Sequence, residues 1–316
     1  MGWGLRLVAA SWLWWMPTVG QAMEVVASIK PLHSLVAAVM GDAGAPQLLL
    51  QGNVSEHTYA LRPSDARLLA KAEVIFWGGR DLEGFLVRPL DNLAPKAVKV
   101  ALLAASGVTL LPLRSGGGWE EEDHGHDHGH DHDHERQAGN ENRRPMDPHA
   151  WLDPRHAMAM IQAIAATLAQ VDPTRAGQYQ QNASAWTRRL EQLDQQLATE
   201  LAPVRKQPYI VFHDAYQYFE QRYGLNAVGS VMVNPERPPG ARRVQEIIGR
   251  IAQTGAVCLF TEPQYSPRLA ETVTANHPVR MGVLDPLGAA LPEGPELYFG
   301  LLRGLSQALA GCLRQG

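Results

Sequence analysis

The stretch DPTRAGQYQQNASAWTRRLEQLDQQLATEL, residues 172–201, decides the fold. Asp172 is a candidate N-cap, Pro173 suits the first helical position, and Pro203 ends the pattern. About 30 residues at 1.5 Å each make a helix of roughly 45 Å, which can cross a whole lobe. The stretch therefore predicts one long rigid helix that connects two lobes, 172–202. Its apolar residues recur at helical spacing: Tyr179, Trp186, Leu190, Leu193, Leu197 and Leu201.

Short apolar runs alternate with helical patterns on both sides of this helix. Such alternation is typical of βα units and parallel sheets. We therefore predict an α/β fold of two βα lobes with parallel-type sheets, residues 23–171 and 203–316. Roughly 290 residues after processing are enough for two lobes that each contain a core. The predicted strands are 25–29, 47–50, 74–77, 98–102, 209–212, 227–233, 257–261 and 279–284.

The N-terminus has the pattern of a signal peptide, residues 1–22. Arg6 precedes an apolar stretch, 7–16, and the small residues Gly20 and Ala22 mark a cleavage site. The stretch is shorter than the roughly 20 residues that span a bilayer. We expect export to the periplasm with cleavage near Ala22, and the lack of a cysteine at that point argues against a lipid anchor.

Charge and cysteine content narrow the function further. The net charge of −4 is small and no basic segment stands out, so we expect no nucleic-acid partner. The only two cysteines are Cys258 and Cys312, and in an oxidising compartment such a pair is most simply a disulfide. Two unpaired thiols are the alternative, and thiol zinc ligands are less favoured because Cys258 lies in an apolar run.

Six of the twelve histidines lie in one acidic run, WEEEDHGHDHGHDHDHE, residues 119–135. The run has no apolar content with which to build a core, and 113–144 is predicted to be a disordered His/Asp/Glu-rich insert. Imidazole is the commonest side-chain ligand for zinc-like metals, which predicts auxiliary low-affinity sites. An inert tether or a purification tag is the alternative, although tags are usually terminal and uninterrupted. The six residues are His124, His126, His128, His130, His132 and His134.

Three other histidines stand alone in well-formed segments. His57 follows a predicted strand, His149 precedes a predicted helix, and His213 ends a predicted strand. Glu262 and Asp285 end two further strands. In open α/β sheets, ligands bind outside the carboxyl ends of the strands. Any one of these histidines alone is more often structural, so the prediction of a metal in the inter-lobe cleft depends on their convergence.

Five segments of the chain resemble a known family. Together they resemble the cluster A-I metal-binding lipoproteins and periplasmic proteins, and within them the zinc-specific, ZnuA-type solute-binding components of ABC importers. The resemblance covers essentially the whole mature chain in order, including the histidine-rich insert. It implies two βα lobes bridged by a rigid helix with one metal in the cleft. The segments are SEHTYALRPSDA (55–66), DPHAWLDP (147–154), VFHDAYQYFEQRYGL (211–225), FTEPQYSP (260–267) and LDPLG (284–288).

The resemblance also assigns site residues. His57, His149 and His213 match the zinc-binding histidines of that family, and Glu56 matches a carboxylate that completes the site in some members. Manganese-type relatives place Glu where this chain has His213, so zinc is the implied metal. Three imidazoles with a carboxylate or water suit four-coordinate Zn²⁺, although Cu²⁺ and Ni²⁺ bind such sets as well.

The remaining candidates are less defined. Asp285 matches a ligand of the manganese branch, and we expect it to orient a histidine or to act as an alternative ligand. Glu262 is assigned no role. Cys258 and Cys312 match a disulfide pair of the zinc branch.

The implied function is capture of periplasmic Zn²⁺ and its delivery to an ABC permease membrane subunit with its cytoplasmic ATPase. We expect a monomer without enzymatic activity, for which Zn²⁺ is the transported ligand. The alternatives are a binding protein of the same family for manganese or another divalent metal, an adhesin or metal-buffering protein, and a zinc metalloenzyme. Against the enzyme, the chain has no HExxH pair and no nucleophile elbow.

Overall fold

The protein is described by a computed structural model that covers residues 23–119, 145–232 and 239–314. The first half contains a parallel sheet of four strands in the order β2-β1-β3-β4. The predicted signal peptide, residues 1–22, and the six histidines of the acidic run lie outside the described residues. The elements are β1 (Val25–Ala27), α1 (Lys30–Met40), β2 (Gln47–Leu48), α2 (Pro63–Lys71), β3 (Val74–Trp77), α3 (Val87–Leu93) and β4 (Val98–Ala101).

The second half repeats this arrangement with a second parallel sheet, in the order β6-β5-β7-β8. Helices follow its strands and cover the sheet, which confirms the predicted α/β fold class. The elements are β5 (Pro208–His213), α6 (Gln217–Tyr223), β6 (Asn226–Met232), α7 (Ala241–Thr254), β7 (Cys258–Thr261), α8 (Arg268–Thr274), β8 (Arg280–Val283) and α9 (Leu297–Leu313).

Two helices, α4 (Pro154–Val171) and α5 (Ala176–Leu201), connect the first sheet to the second along the chain. The 26 residues of α5 are flanked by the 3-10 turns Pro173–Arg175 and Ala202–Val204. Asp172 was predicted to cap the helix, but its carboxylate accepts from no backbone amide of the first turn. It accepts instead from the Arg175 guanidinium and from the Tyr179 hydroxyl. The chain therefore bends between α4 and α5 at Asp172, and α5 starts one turn later than predicted.

The helix α5 contacts both halves of the molecule. Asn182 donates to the Val39 carbonyl of α1 at 2.9 Å, and Ser306 of α9 donates to Glu200 at 2.9 Å. Leu190 and Leu201 are fully buried in the core that both halves share. A continuous helix packed on both lobes has few positions that can act as a hinge.

Buried hydrogen bonds also join the two lobes directly. The Lys30 ammonium donates to the carbonyls of Gly288, Ala289 and Leu291 at 3.4, 2.7 and 2.9 Å. The Trp151 indole donates to the Pro286 carbonyl at 2.9 Å. These contacts favour small movements between the lobes over a wide swing.

The disordered insert was predicted to begin at residue 113, but residues 113–119 are packed on the rest of the protein. Leu113 donates to the Pro145 carbonyl at 3.1 Å, and Gly117–Trp119 form a 3-10 turn beside β6. The boundary was wrong because composition alone does not register the contacts that Arg114 and Trp119 make. Residues 120–144 lie outside the described part.

Two further expectations concern the cysteines and the membrane. Cys258 and Cys312 form a disulfide that joins β7 to α9, which confirms the predicted pair. Over the three described ranges, no helix combines the length and the apolar character needed to cross a bilayer.

Candidate metal centre

The three isolated histidines come together at one point between the lobes. His57 lies in the loop between β2 and α2, His149 precedes the 3-10 turn Ala150–Leu152, and His213 is the last residue of β5. The Nε2 atom of His149 lies 3.2 Å from that of His57 and 3.3 Å from that of His213. Among the described residues these three form the group whose ligand atoms all lie within 4.8 Å of one another.

The tautomer of His149 follows from its partner Asp147. One Asp147 oxygen accepts from the backbone amide of His149 at 3.0 Å and from its Nδ1 at 2.7 Å. With its hydrogen on Nδ1, neutral His149 presents a single lone pair at Nε2. Two imidazole nitrogens approach that lone pair, which can accept only one hydrogen. A cation between the three nitrogens satisfies all of them, which hydrogen bonds cannot do.

Glu262 orients His213 in the same way. The Nδ1 atom of His213 lies 2.8 Å from both carboxylate oxygens of Glu262, and both side chains are almost fully buried. Val211 pairs with Phe260 in the parallel register of β5 and β7. Two residues further along the chain in each case, His213 at the end of β5 and Glu262 directly after β7 therefore stand side by side at the carboxyl edge of the sheet.

The three imidazoles differ in charge. Burial lowers the pKa of His57 and His149 well below the ordinary value, so both are neutral. Burial also lowers the pKa of His213, but the charge and hydrogen bond of Glu262 outweigh it and raise that pKa to about 9. A metal that binds at neutral pH must therefore displace a proton from His213.

Glu56 adds an oxygen to the three nitrogens. Its side chain is 3% exposed, and Oε1 lies 3.7 Å from Nε2 of His57 and 3.8 Å from Nε2 of His149. Oε1 has no hydrogen-bond partner within the described residues. Burial raises the pKa of Glu56 to about 7. A buried acceptor without a partner is costly unless something binds it, and a cation shared with the histidines would do so.

Asp285 is bound to the turn that follows β8. Its carboxylate accepts from the backbone amides of Leu287, Gly288 and Ala289 at 3.1, 3.0 and 2.5 Å, and from Gln264 at 3.0 Å. Among the described residues it makes no hydrogen bond to a histidine. Asp285 therefore holds the turn after β8, and Glu262 and Asp147 do the orienting that was expected of it.

The spacing of the nitrogens suits one particular coordination geometry. Zn–N bonds of 2.0–2.1 Å in a tetrahedron place neighbouring ligand atoms about 3.3 Å apart. The observed Nε2 separations are 3.2 and 3.3 Å. Three imidazoles and one carboxylate are also a donor set that zinc accepts.

Comparison with known proteins gives the family. The family model ZnuA, described as zinc-uptake complex component A, periplasmic, matches residues 25–312. The chain belongs to the ZnuA family. A high-affinity zinc uptake system protein ZnuA of Brucella abortus is 48% identical over 93% of this chain and 92% of its own length. A ZnuA of Yersinia pestis is 36% identical over 92% of this chain and 91% of its own length.

Solved structures agree with this assignment to the ZnuA family. A crystal structure of ZnuA has a TM-score of 0.77 at 25% identity and covers 93% of this chain and 100% of its own. A deletion mutant of ZnuA with zinc bound has a TM-score of 0.75 at 25% identity, over 93% and 98% of the two chains. The family resemblance seen in the sequence motifs is confirmed.

The sequence patterns assigned no role to two carboxylates that contact the histidines of this ZnuA family member. Asp147 stands two positions before His149 in the DPHAW motif, and Glu262 directly follows β7, the neighbour of the strand that His213 ends. The first could have been found from the short spacing, because a carboxylate often orients a metal-binding imidazole. The second required the strand order.

Proposed function

We propose that this chain is the periplasmic zinc-binding component of an ABC-type importer. His57, His149 and His213 bind one Zn²⁺ in the cleft, and Glu56 supplies the fourth ligand. The observation that supports this most directly is the approach of two imidazole nitrogens to the single lone pair of His149, at the edge length of a zinc tetrahedron.

The arrangement favours binding over catalysis. A catalytic zinc keeps one coordination position open for water or substrate. Oε1 of Glu56 lies 3.8 Å from Nε2 of His149, which supports its use as the fourth ligand, and the buried carboxylates of Asp147 and Glu262 hydrogen-bond to the imidazoles instead. We infer a carrier that releases zinc unchanged, without enzymatic activity.

The delivery of zinc to a permease is inferred from the family and from the signal-peptide pattern of residues 1–22. We propose that residues 1–22 are removed near Ala22 and that the mature chain acts as a monomer in the periplasm. It passes Zn²⁺ to the membrane permease of the importer, which a cytoplasmic ATPase drives. The histidines of residues 124–134 are proposed to collect zinc weakly outside the cleft site.

The test is a competitive titration of the mature chain lacking residues 120–144, with Zn²⁺ and Mn²⁺ measured side by side. We expect one tight zinc per chain, weak manganese, and loss of tight binding in His149→Ala. His156→Ala is the matched control, because His156 lies outside the cluster and contacts the Ala150 carbonyl. Equal or stronger manganese binding would overturn the zinc assignment, and a His149→Ala variant with wild-type affinity would overturn the cleft site.

The fourth ligand needs its own variant. Glu56→Gln preserves shape but removes the charge, and should weaken zinc by about 10- to 100-fold and change the visible spectrum of bound Co²⁺. An unchanged affinity and spectrum would exclude Glu56 from the coordination sphere.

A further inference from the structure

Arg114 lies at the base of the insert and binds two carboxylates of the second lobe. Its Nε donates to both oxygens of Asp214 at 3.0 Å, its Nη1 donates to Glu220 at 2.6 Å, and its Nη2 also donates to Asp214. The Arg114 side chain is 18% exposed, and those of Asp214 and Glu220 are 12% and 5% exposed. Asp214 directly follows His213, so Arg114 holds the residue next to a proposed zinc ligand.

The segment that contains Arg114, which we call the stalk (residues 113–119), is docked on the second lobe. The Arg114 guanidinium lies 3.4 Å from the centre of the Trp119 ring. Arg243 donates to the carbonyls of Gly118 and Ser230 at 2.7 Å each and so bridges the stalk to β6. A Cβ at position 118 would lie 2.5 Å from a backbone oxygen of β6, which shows how closely the two backbones approach.

The same part of the chain is hydrogen-bonded to the residue that orients His149. Leu111 accepts from the Asp147 amide at 2.8 Å, and its own amide donates to the Tyr218 hydroxyl at 2.8 Å. Tyr218 in turn donates to the Asp147 carbonyl at 2.6 Å. Burial raises the pKa of Asp147 to about 7, and the positive charge of Arg114 acts in the opposite direction. Arg114 thus binds the residue next to His213, and it lies three residues from Leu111, which binds the backbone of Asp147.

We propose that Arg114 is a positioning residue of the metal site, which holds the segments of His149 and His213 at the spacing that zinc requires. The proposal rests on the zinc site proposed above. Without the guanidinium, Asp214 and Glu220 would be two buried carboxyl groups without a counter-ion. Burial already raises the pKa of Glu220 to about 7, so Glu220 would take up a proton, and the turn between β5 and α6 would rearrange around the changed pair. The stalk is therefore part of the site.

The chain offers a matched control for this arginine. Arg222 also forms a partly buried pair, with Nε donating to Asp194 at 2.9 Å, and the two side chains are 20% and 10% exposed. That pair joins α6 to α5 away from the imidazoles. Arg114→Met and Arg222→Met should both lower the melting temperature of the mature chain.

Only Arg114→Met should change the metal site. We expect it to weaken Zn²⁺ by about 10-fold or more in a chelator competition and to alter the Co²⁺ absorption that reports tetrahedral geometry. Arg222→Met should match the wild type in both readouts. Arg114→Lys keeps the charge but loses the planar fork, so an intermediate affinity is expected.

Two deletions make the test independent of the point variants. Removal of 120–144 should leave zinc affinity within about threefold of wild type, whereas removal of 113–144 should weaken it as much as Arg114→Met. A wild-type chain that does not bind zinc would refute the proposed function. A wild-type chain that binds zinc tightly, with Arg114→Met equal to Arg222→Met, would refute the role of Arg114. If Arg114→Met does not fold, wild-type affinity in Arg114→Lys and in the 113–144 deletion refutes it equally.

Discussion

Replacement of Glu262 by Gln should change how zinc affinity depends on pH. Glu262 raises the pKa of His213 to about 9 against the opposing effect of burial. Zinc must displace that proton, so wild-type affinity should rise about tenfold per pH unit until pH 9 and then level off. The window for the measurement starts at pH 7.5, because Glu56 and Asp147, with pKa values of about 7, are mostly ionised above it.

The expected magnitudes follow from these values. From pH 7.5 to 9, the wild-type affinity for zinc should rise about 15-fold, because the fraction of His213 that has lost its proton rises from about 3% to about half. In Glu262→Gln the largest contribution that keeps His213 protonated is removed, so the affinity should be nearly flat over this window. The variant also loses a charged partner of the imidazole, which costs about 10- to 100-fold in affinity. The deficit relative to wild type should therefore grow with pH.

The assay is chelator competition for Zn²⁺ at five pH values, corrected for the protonation of the chelator. Asp147→Asn is the control, because it removes the equivalent carboxylate from His149, whose pKa is lowered and which has no proton to lose in this window. The control should be weaker at every pH but keep the wild-type slope. If Glu262→Gln retained the tenfold rise per pH unit, the displaced proton would not belong to the His213–Glu262 pair.

Three further predictions concern the frame of the site. Asp285→Asn should lower the free energy of unfolding in urea by about 1–2 kcal/mol, while zinc affinity stays within about threefold of wild type. A loss of zinc affinity as large as that of His149→Ala would contradict the role of Asp285 in holding the turn after β8. Reduction of the disulfide between Cys258 and Cys312, which are 54 residues apart, should destabilise the chain by about 4 kcal/mol, seen as a shift in the denaturant midpoint; an unchanged midpoint would count against it. Lys30→Met should leave three carbonyls without their donor and lower the free energy of unfolding by about 1–3 kcal/mol. Amide hydrogen exchange across residues 287–291 should become faster. Unaltered exchange there would argue that this link between the lobes is unimportant.

Local patterns predicted most elements because hydrophobic periodicity is a local property. The strand β3 has the predicted bounds, 74–77. The first strand was predicted to reach residue 29 but ends at Ala27, because α1 already begins at Lys30. The predicted long helix is present, but its first turn is a separate 3-10 turn, because Asp172 binds side chains rather than the amides that an N-cap would satisfy.

Topology decides which of two carboxylates meets His213. Asp285 and Glu262 both follow strands of the second sheet, and their sequence contexts do not separate them. The strand order β6-β5-β7-β8 places Glu262 next to His213 and puts Asp285 one strand further away. Strand order depends on contacts across the whole sheet, so no local pattern could have chosen between the two carboxylates.

The residue types, their motifs and the family were readable from the linear chain, because a donor set of three histidines and a glutamate already defines the chemistry that a zinc site needs. The disulfide was readable too, since only two cysteines were available. The spacing of the nitrogens, the carboxylates that orient them and the docking of the stalk on the second lobe were decided by the tertiary structure alone. The reason is separation along the chain: His149 lies 92 residues from His57 and 64 from His213, and Arg114 lies 100 from Asp214. Only the packing of the two lobes brings such distant residues within bonding distance.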